Sequence, residues 1–201
     1  MKKKIFTIYV IFSLLIGTLF PTKVIASNSD IHEYQEIIEQ INSEYNSQFA
    51  IIDINAFRNT IYNQLSPSEF KSMLIKDAIA IQKNPLEHEI EMNISIPKTR
   101  ARNEVVIYPY TVTSGNWKSK VSARIETTFF STGAPKFIRY IDAGYEWDAN
   151  STNYTFRAMH IELESFSSSM CKVKYSGNWV VPATGLSDLT YKIYNVTYRA
   201  A

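Results

Sequence analysis

From residue 104 to the C-terminus, alternating apolar and polar runs recur between short clusters of Gly, Ser, Asn and Pro, and helical periodicity is absent. A chain of this kind buries its apolar faces only by stacking or closing sheets. The runs cover 104–113, 117–130, 136–142, 145–148, 154–164, 170–175, 179–181 and 190–199. Turn signals fall at Ser114-Gly115-Asn116, Thr132-Gly133-Ala134-Pro135, the polar stretch 150–153, the serines of 165–169, Ser176-Gly177-Asn178 and Pro182, with a bulge at Ala143-Gly144. The reading is about seven or eight short strands in an antiparallel β-sandwich, with a small barrel as second choice. The tetrapeptide Ser-Gly-Asn-Trp occurs twice, at 114–117 and 176–179, without similarity in the flanking residues. The same turn chemistry used twice explains this better than a duplication.

The preceding segment follows a different period. Ile31, Tyr34, Ile37, Ile38, Ile41 and Tyr45 recur at helical spacing with glutamates between them, and Asp30 is the expected N-cap. A short extended run follows at 49–54, and Asp53 or Asn55 caps a second helix carrying Phe57, Ile61 and Leu65. Ser66-Pro67-Ser68-Glu69 is a capping box with Pro at the first helical position, and Asn84-Pro85 ends the helix it starts. Residues 86–96 alternate strictly, giving a half-buried strand whose outer face carries Glu87, Glu89 and Glu91. The fold class is therefore α+β, an N-terminal helical segment followed by an antiparallel β-sandwich. The expected division is a signal peptide over 1–26, a helical head over 27–84, a strand and basic linker over 85–103, and the sandwich over 104–201.

Lys2, Lys3 and Lys4 precede an uncharged, mostly apolar run to Phe20, and Val24-Ile25-Ala26 supplies a small-residue cleavage site. That is signal-peptide grammar, so the chain is expected to be secreted and cleaved after Ala26. The net charge of +2 is then a property of the leader. Residues 27–201 hold 17 basic and 19 acidic residues, net −2. Residues 27–103 carry −4 and residues 104–201 carry +2. Neither half has the basic density of a nucleic-acid binder, so no nucleic-acid partner is expected. Cys171 is the single cysteine, which excludes an intrachain disulfide. An exported chain without disulfides fits a Gram-positive-like secretome.

Chemistry-bearing patterns are sparse. The three histidines, His32, His88 and His160, fall in separate elements, and no phosphate loop, zinc spacing or nucleophile elbow occurs. No cofactor or metal is expected. The loop 148–153 has oxygen-bearing residues but lacks the glycine and distal glutamate of a calcium loop. Carboxylate pairs drawn from Glu126, Asp142, Glu146, Asp148, Glu162 and Glu164, or His160 with Glu162, are the candidates for a secreted hydrolase. Cys171 reads as a small buried hydrophobe. The ligand-binding candidates are Trp117, Trp147, Trp179, Tyr145 and Asp148, a set of planar rings with a hydrogen-bonding neighbour. Tyr140 and Tyr154 extend the same aromatic set. Arg100 and Arg102 mark a protease-sensitive linker. The leading expectation is a non-enzymatic extracellular module binding a cell-surface polysaccharide or a protein. The alternative is a bacteriocin-like or membrane-active effector, with a membrane as its target and the helical head as a removable pro-region.

Overall fold

The computed structural model describes residues 28–94, 102–130 and 133–201. The expected signal peptide with Ala26, and Arg100 in the linker, lie outside the described residues. Residues 31–201 form one compact unit. The fold is α+β, with short helices and two sheets that pack against each other.

Helix α1 (Asn28–Tyr45) begins two residues before the expected cap, Asp30. Ile31, Tyr34, Ile38 and Ile41 are buried along one of its faces. Strand β1 (Phe49–Ile51) leads to α2 (Ile54–Phe57), which Asp53 caps by accepting from the backbone N–H groups of Asn55 and Ala56. A wider turn, Arg58–Tyr62, extends α2. Helix α3 (Pro67–Gln82) starts at the capping box of Ser66 and Glu69 and buries Phe70, Leu74, Ala78 and Ile81. Edge and tilted ring contacts join the three helices: Tyr34 to Phe57 at 5.6 Å, Tyr34 to Phe70 at 5.2 Å, and Phe57 to Phe70 at 5.5 Å. The Tyr34 hydroxyl donates to the Leu65 carbonyl at 2.6 Å, so the buried phenol is not left unpaired.

The strands that follow are β2 (Glu87–Ile94), β3 (Arg102–Ser114), β4 (Trp117–Phe129), β5 (Lys136–Tyr145), β6 (Thr155–Phe166), β7 (Met170–Val181) and β8 (Leu186–Ala200). One sheet runs β1-β8-β7-β6, with β2 also on β8; the other is the meander β3-β4-β5. All pairings are antiparallel except β2 with β8, which is parallel from Glu87↔Ile193 to Ile94↔Ala200. The two N-terminal strands divide one edge of β8. Strand β1 takes 186–188 and β2 takes 193–200. The helical segment and the segment after residue 103 therefore share a sheet, and they share one apolar core with Phe57, Phe70, Trp179 and Tyr198 as members.

Among the described residues the C-terminal segment holds six strands rather than seven or eight, because two expected breaks do not occur. Strand β5 runs through Ala143-Gly144, and its irregularities fall instead opposite Arg124/Ile125 and Glu126/Thr127 of β4. Strand β7 runs through Ser176-Gly177-Asn178, where a register shift against both neighbours absorbs the irregularity. A Cβ at Gly177 would lie 2.0 Å from the Arg157 carbonyl oxygen, so glycine here serves close strand approach rather than a turn. The first copy of the tetrapeptide does turn the chain. Gly115 has φ +59°, and Ser114 pairs with Trp117 across the β3–β4 hairpin.

Candidate functional site

The five aromatic and acidic candidates separate into two groups. Trp179 is fully buried, donating from its indole nitrogen to the Tyr194 hydroxyl at 3.1 Å, and that hydroxyl donates to the Thr113 carbonyl at 3.0 Å. Trp117 is half-buried and stacks on Tyr154 with centroids 3.6 Å apart. These two indoles are core and near-core groups that join β4, β7 and β8.

Trp147, Tyr145 and Asp148 lie together at the β5–β6 corner. Trp147 is 42% exposed and meets the Tyr145 ring edge-on at 6.3 Å. The Arg157 guanidinium sits 5.9 Å from the Trp147 centroid, a cation–π geometry. Hydrogen bonds hold the loop. The Glu146 N–H donates to the Lys120 carbonyl, the Asp148 carboxylate accepts from the Asn150 N–H, and the Ala183 N–H donates to the Ser151 carbonyl. Asp148 thus uses one carboxylate oxygen to make an Asx turn. Arg102, the described half of the expected processing pair, opens β3 and ion-pairs with Glu104 at 2.9 Å.

The hydrolase candidates are dispersed. Glu126 pairs with Arg139, Asp142 with Arg124, Glu146 with Lys120, and Glu164 with Lys172. The acidic ridge of β2 is tied down as well: Glu91 pairs with Arg199, Glu89 with Lys172, and Asn195 donates to both Glu87 and Glu89. His32 pairs with Glu36 one helical turn away, and His88 stacks on Tyr194 at 4.8 Å. Ser176 donates to the backbone carbonyl of His160, leaving the imidazole outside that bond. Cys171 is fully buried, and desolvation pushes its thiol up to about 12, which removes the thiolate needed for nucleophilic attack.

A second group of residues carries no sequence motif. Asp188 on β8 is fully buried, yet only one of its oxygens is engaged, accepting from the Thr190 N–H at 3.0 Å. The Asp188 charge is felt by Asp77 on α3 and by Tyr154, the residue before β6. Burial raises the Asp77 carboxyl to about 6, with Asp188 adding to the rise. Burial also raises Asp188 and carries the Tyr154 phenol well above its usual value. Interaction of the Tyr154 hydroxyl with the Asp77 carboxyl offsets part of the Asp77 rise and adds to that of Tyr154. Lys192, 1% exposed, does not neutralise the pair by contact. Its ammonium donates to the Asn84 and Pro85 carbonyls, both at 3.3 Å, at the back of a cavity of about 330 Å³ between the ends of α1 and α3. These residues come from α3, β6 and β8, so no local spacing marks them.

No protein-family model, curated protein or solved structure matches the chain. No helix among the described residues is long and apolar enough to cross a membrane.

Proposed function

We propose that this chain is a secreted, non-enzymatic binding module and that it holds a cell-surface polysaccharide on the β5–β6 corner. The observation that carries the reading is Trp147: a large apolar ring left open to solvent on a hydrogen-bonded loop, while the other two tryptophans are half or wholly buried. An indole ordered before binding loses little conformational freedom, and its flat apolar face suits a sugar ring. Arg157, Tyr145 and Asp148 border it with donors and acceptors for hydroxyl groups.

The test is depletion from solution by insoluble cell-wall polysaccharides, with tryptophan fluorescence read on soluble fragments. Binding that falls about tenfold or more in Trp147→Ala, with the fold intact, supports the proposal. Equal retention of wild type and Trp147→Ala, or no retention of either, refutes it.

The effector reading draws less support. Cutting near Arg102 would separate β1 and β2 from β8 and the helices from the shared core. The released segment would expose apolar residues now buried beneath them.

A further inference from the structure

We propose that the polysaccharide held at the β5–β6 corner is acidic, and that Arg157 selects it by taking a carboxylate or phosphate group while Trp147 carries the adjoining sugar ring. The inference rests on the polysaccharide reading and adds to it the charge of the ligand and the residue that reads that charge.

Arg157 differs from the other arginines of the strands. Arg102 pairs with Glu104, Arg124 with Asp142, Arg139 with Glu126 and Arg199 with Glu91. Arg157 has no carboxylate within ion-pair distance among the described residues. It is exposed, and its guanidinium lies 5.9 Å from the Trp147 centroid. The acids of the same corner are committed elsewhere, Glu146 to Lys120 at 3.3 Å and Asp148 to the Asn150 N–H. An indole face attracts the cation but supplies no oxygen to its N–H groups. The guanidinium fork therefore stays open, and its shape matches carboxylates and phosphates. A neutral sugar offers single hydroxyls and leaves the positive charge unanswered.

The neighbouring strand adds an unmet acceptor. Asn178 on β7 lies directly across from Arg157, and residues paired in this way share a face of the sheet. Asn178 is only 8% exposed, and its amide oxygen has no hydrogen-bond partner. A hydroxyl on a sugar bound at Arg157 is a donor of the kind this acceptor lacks. The two strands approach closely here, since a Cβ at Gly177 would lie 2.0 Å from the Arg157 carbonyl oxygen. Arg157 thus projects from a fixed strand rather than a loop, and the acid-reading group and the stacking ring are set before a ligand arrives.

The test uses the full chain and matched soluble polymers: polygalacturonate against its methyl ester, and phosphomannan against neutral mannan. Binding is read from tryptophan fluorescence at one fixed ionic strength, since salt screens charge attraction. Wild type should bind at least one acidic polymer about tenfold or more tightly than its neutral counterpart, and Arg157→Gln should remove that preference while leaving neutral binding in place. Preference for polygalacturonate assigns a carboxylate; preference for phosphomannan assigns a phosphate. Arg157→Lys keeps the charge without the fork and should retain only part of the preference. Arg139→Gln removes the same charge from an ion-paired arginine and should leave the preference intact. Equal binding of acidic and neutral polymers, lost from both in Trp147→Ala, overturns the inference and leaves the polysaccharide reading standing. An acidic preference that survives in Arg157→Gln, or that Arg139→Gln removes equally, overturns it too. Absence of binding to both acidic polymers overturns it whatever the neutral ones do. Absence of binding to all of them, with no retention on insoluble cell-wall polysaccharide, overturns the underlying reading as well.

Discussion

Trp117 and Trp179, the last residues of the two Ser-Gly-Asn-Trp tetrapeptides, meet in the interior with ring centroids 5.9 Å apart. Identical tetrapeptides thus adopt different backbones and converge on one aromatic cluster, which also takes in Tyr154, Phe156 and Tyr194. The difference lies at the glycines. Gly115 provides a positive φ at a hairpin tip, whereas Gly177 provides the absence of a Cβ where β6 crosses close.

The glycines should accordingly respond differently to alanine. At Gly177 the new Cβ meets backbone 2.0 Å away, so β6 must shift at Arg157. Gly177→Ala is expected to destabilise by roughly 2 kcal/mol or more, the range for overpacking against an unyielding neighbour. A Cβ added at Gly144 would meet nothing within 4 Å, so Gly144→Ala should change stability by less than about 0.5 kcal/mol. Urea midpoints of the two variants measure the contrast; equal effects would contradict the close-approach reading of Gly177.

Gly185 tests whether the helical segment is fastened to the β7–β8 hairpin. Its φ is +67°, its carbonyl accepts from the Ile52 and Asp53 N–H groups, and a Cβ would lie 2.4 Å from the Asp53 carbonyl oxygen. Gly185→Ala should cost about 2 kcal/mol or more through strain and displacement together. Hydrogen exchange in β1 and α2 should quicken alongside the fall in Tm, because the lost contact lies between those elements and β8. An unchanged exchange rate there would limit the defect to the turn itself.

The α3 capping box offers a smaller and separable effect. The Ser66 N–H donates to the Glu69 carboxylate at 2.8 Å, and the Glu69 N–H donates to Ser66 Oγ at 3.4 Å. The Ser66 bonds hold the Glu69 carboxyl below its usual value. Ser66→Ala should lower stability by about 1 kcal/mol, read from thermal unfolding, with little effect on the far end of α3.

Much of this architecture was legible from local chemistry. Ser66 and Glu69 mark a helix start whatever surrounds them, and the alternation of 87–94 fixes which face of β2 is buried. What escaped the sequence was non-local. The parallel pairing of Glu87 with Ile193 joins residues far apart in the chain, and alternation carries no information on strand direction. Gly177 looked like a turn because Gly-Asn is turn chemistry, and only the approach of Arg157 explains its presence within a strand. The candidate surface was half legible. Trp147, Tyr145 and Asp148 are neighbours in sequence and in space, but the burial of Trp179 depends on β6, β8 and β4 covering it. The Asp77–Asp188–Tyr154 cluster gave no signal, since each residue is unremarkable in its own segment.

That cluster makes the stability of the protein depend on pH in an uncommon direction. Burial raises Asp77 in the folded chain from 3.8 to about 6, and Asp188 is raised as well. A carboxyl that binds its proton more tightly when folded stabilises the fold in acid. The contribution is complete below the unfolded value near 4 and is lost as pH climbs through about 6. Stability should therefore fall between pH 4 and pH 7, by roughly 2 kcal/mol for Asp77 after allowing for its partial exposure. Asp77→Asn, neutral at every pH, should flatten that slope and be the more stable form at pH 7. Urea midpoints across the range provide the check. A wild-type curve that instead rises from pH 4 to 7 with the same slope in Asp77→Asn would show that Asp77 is ionised and solvated in the folded protein.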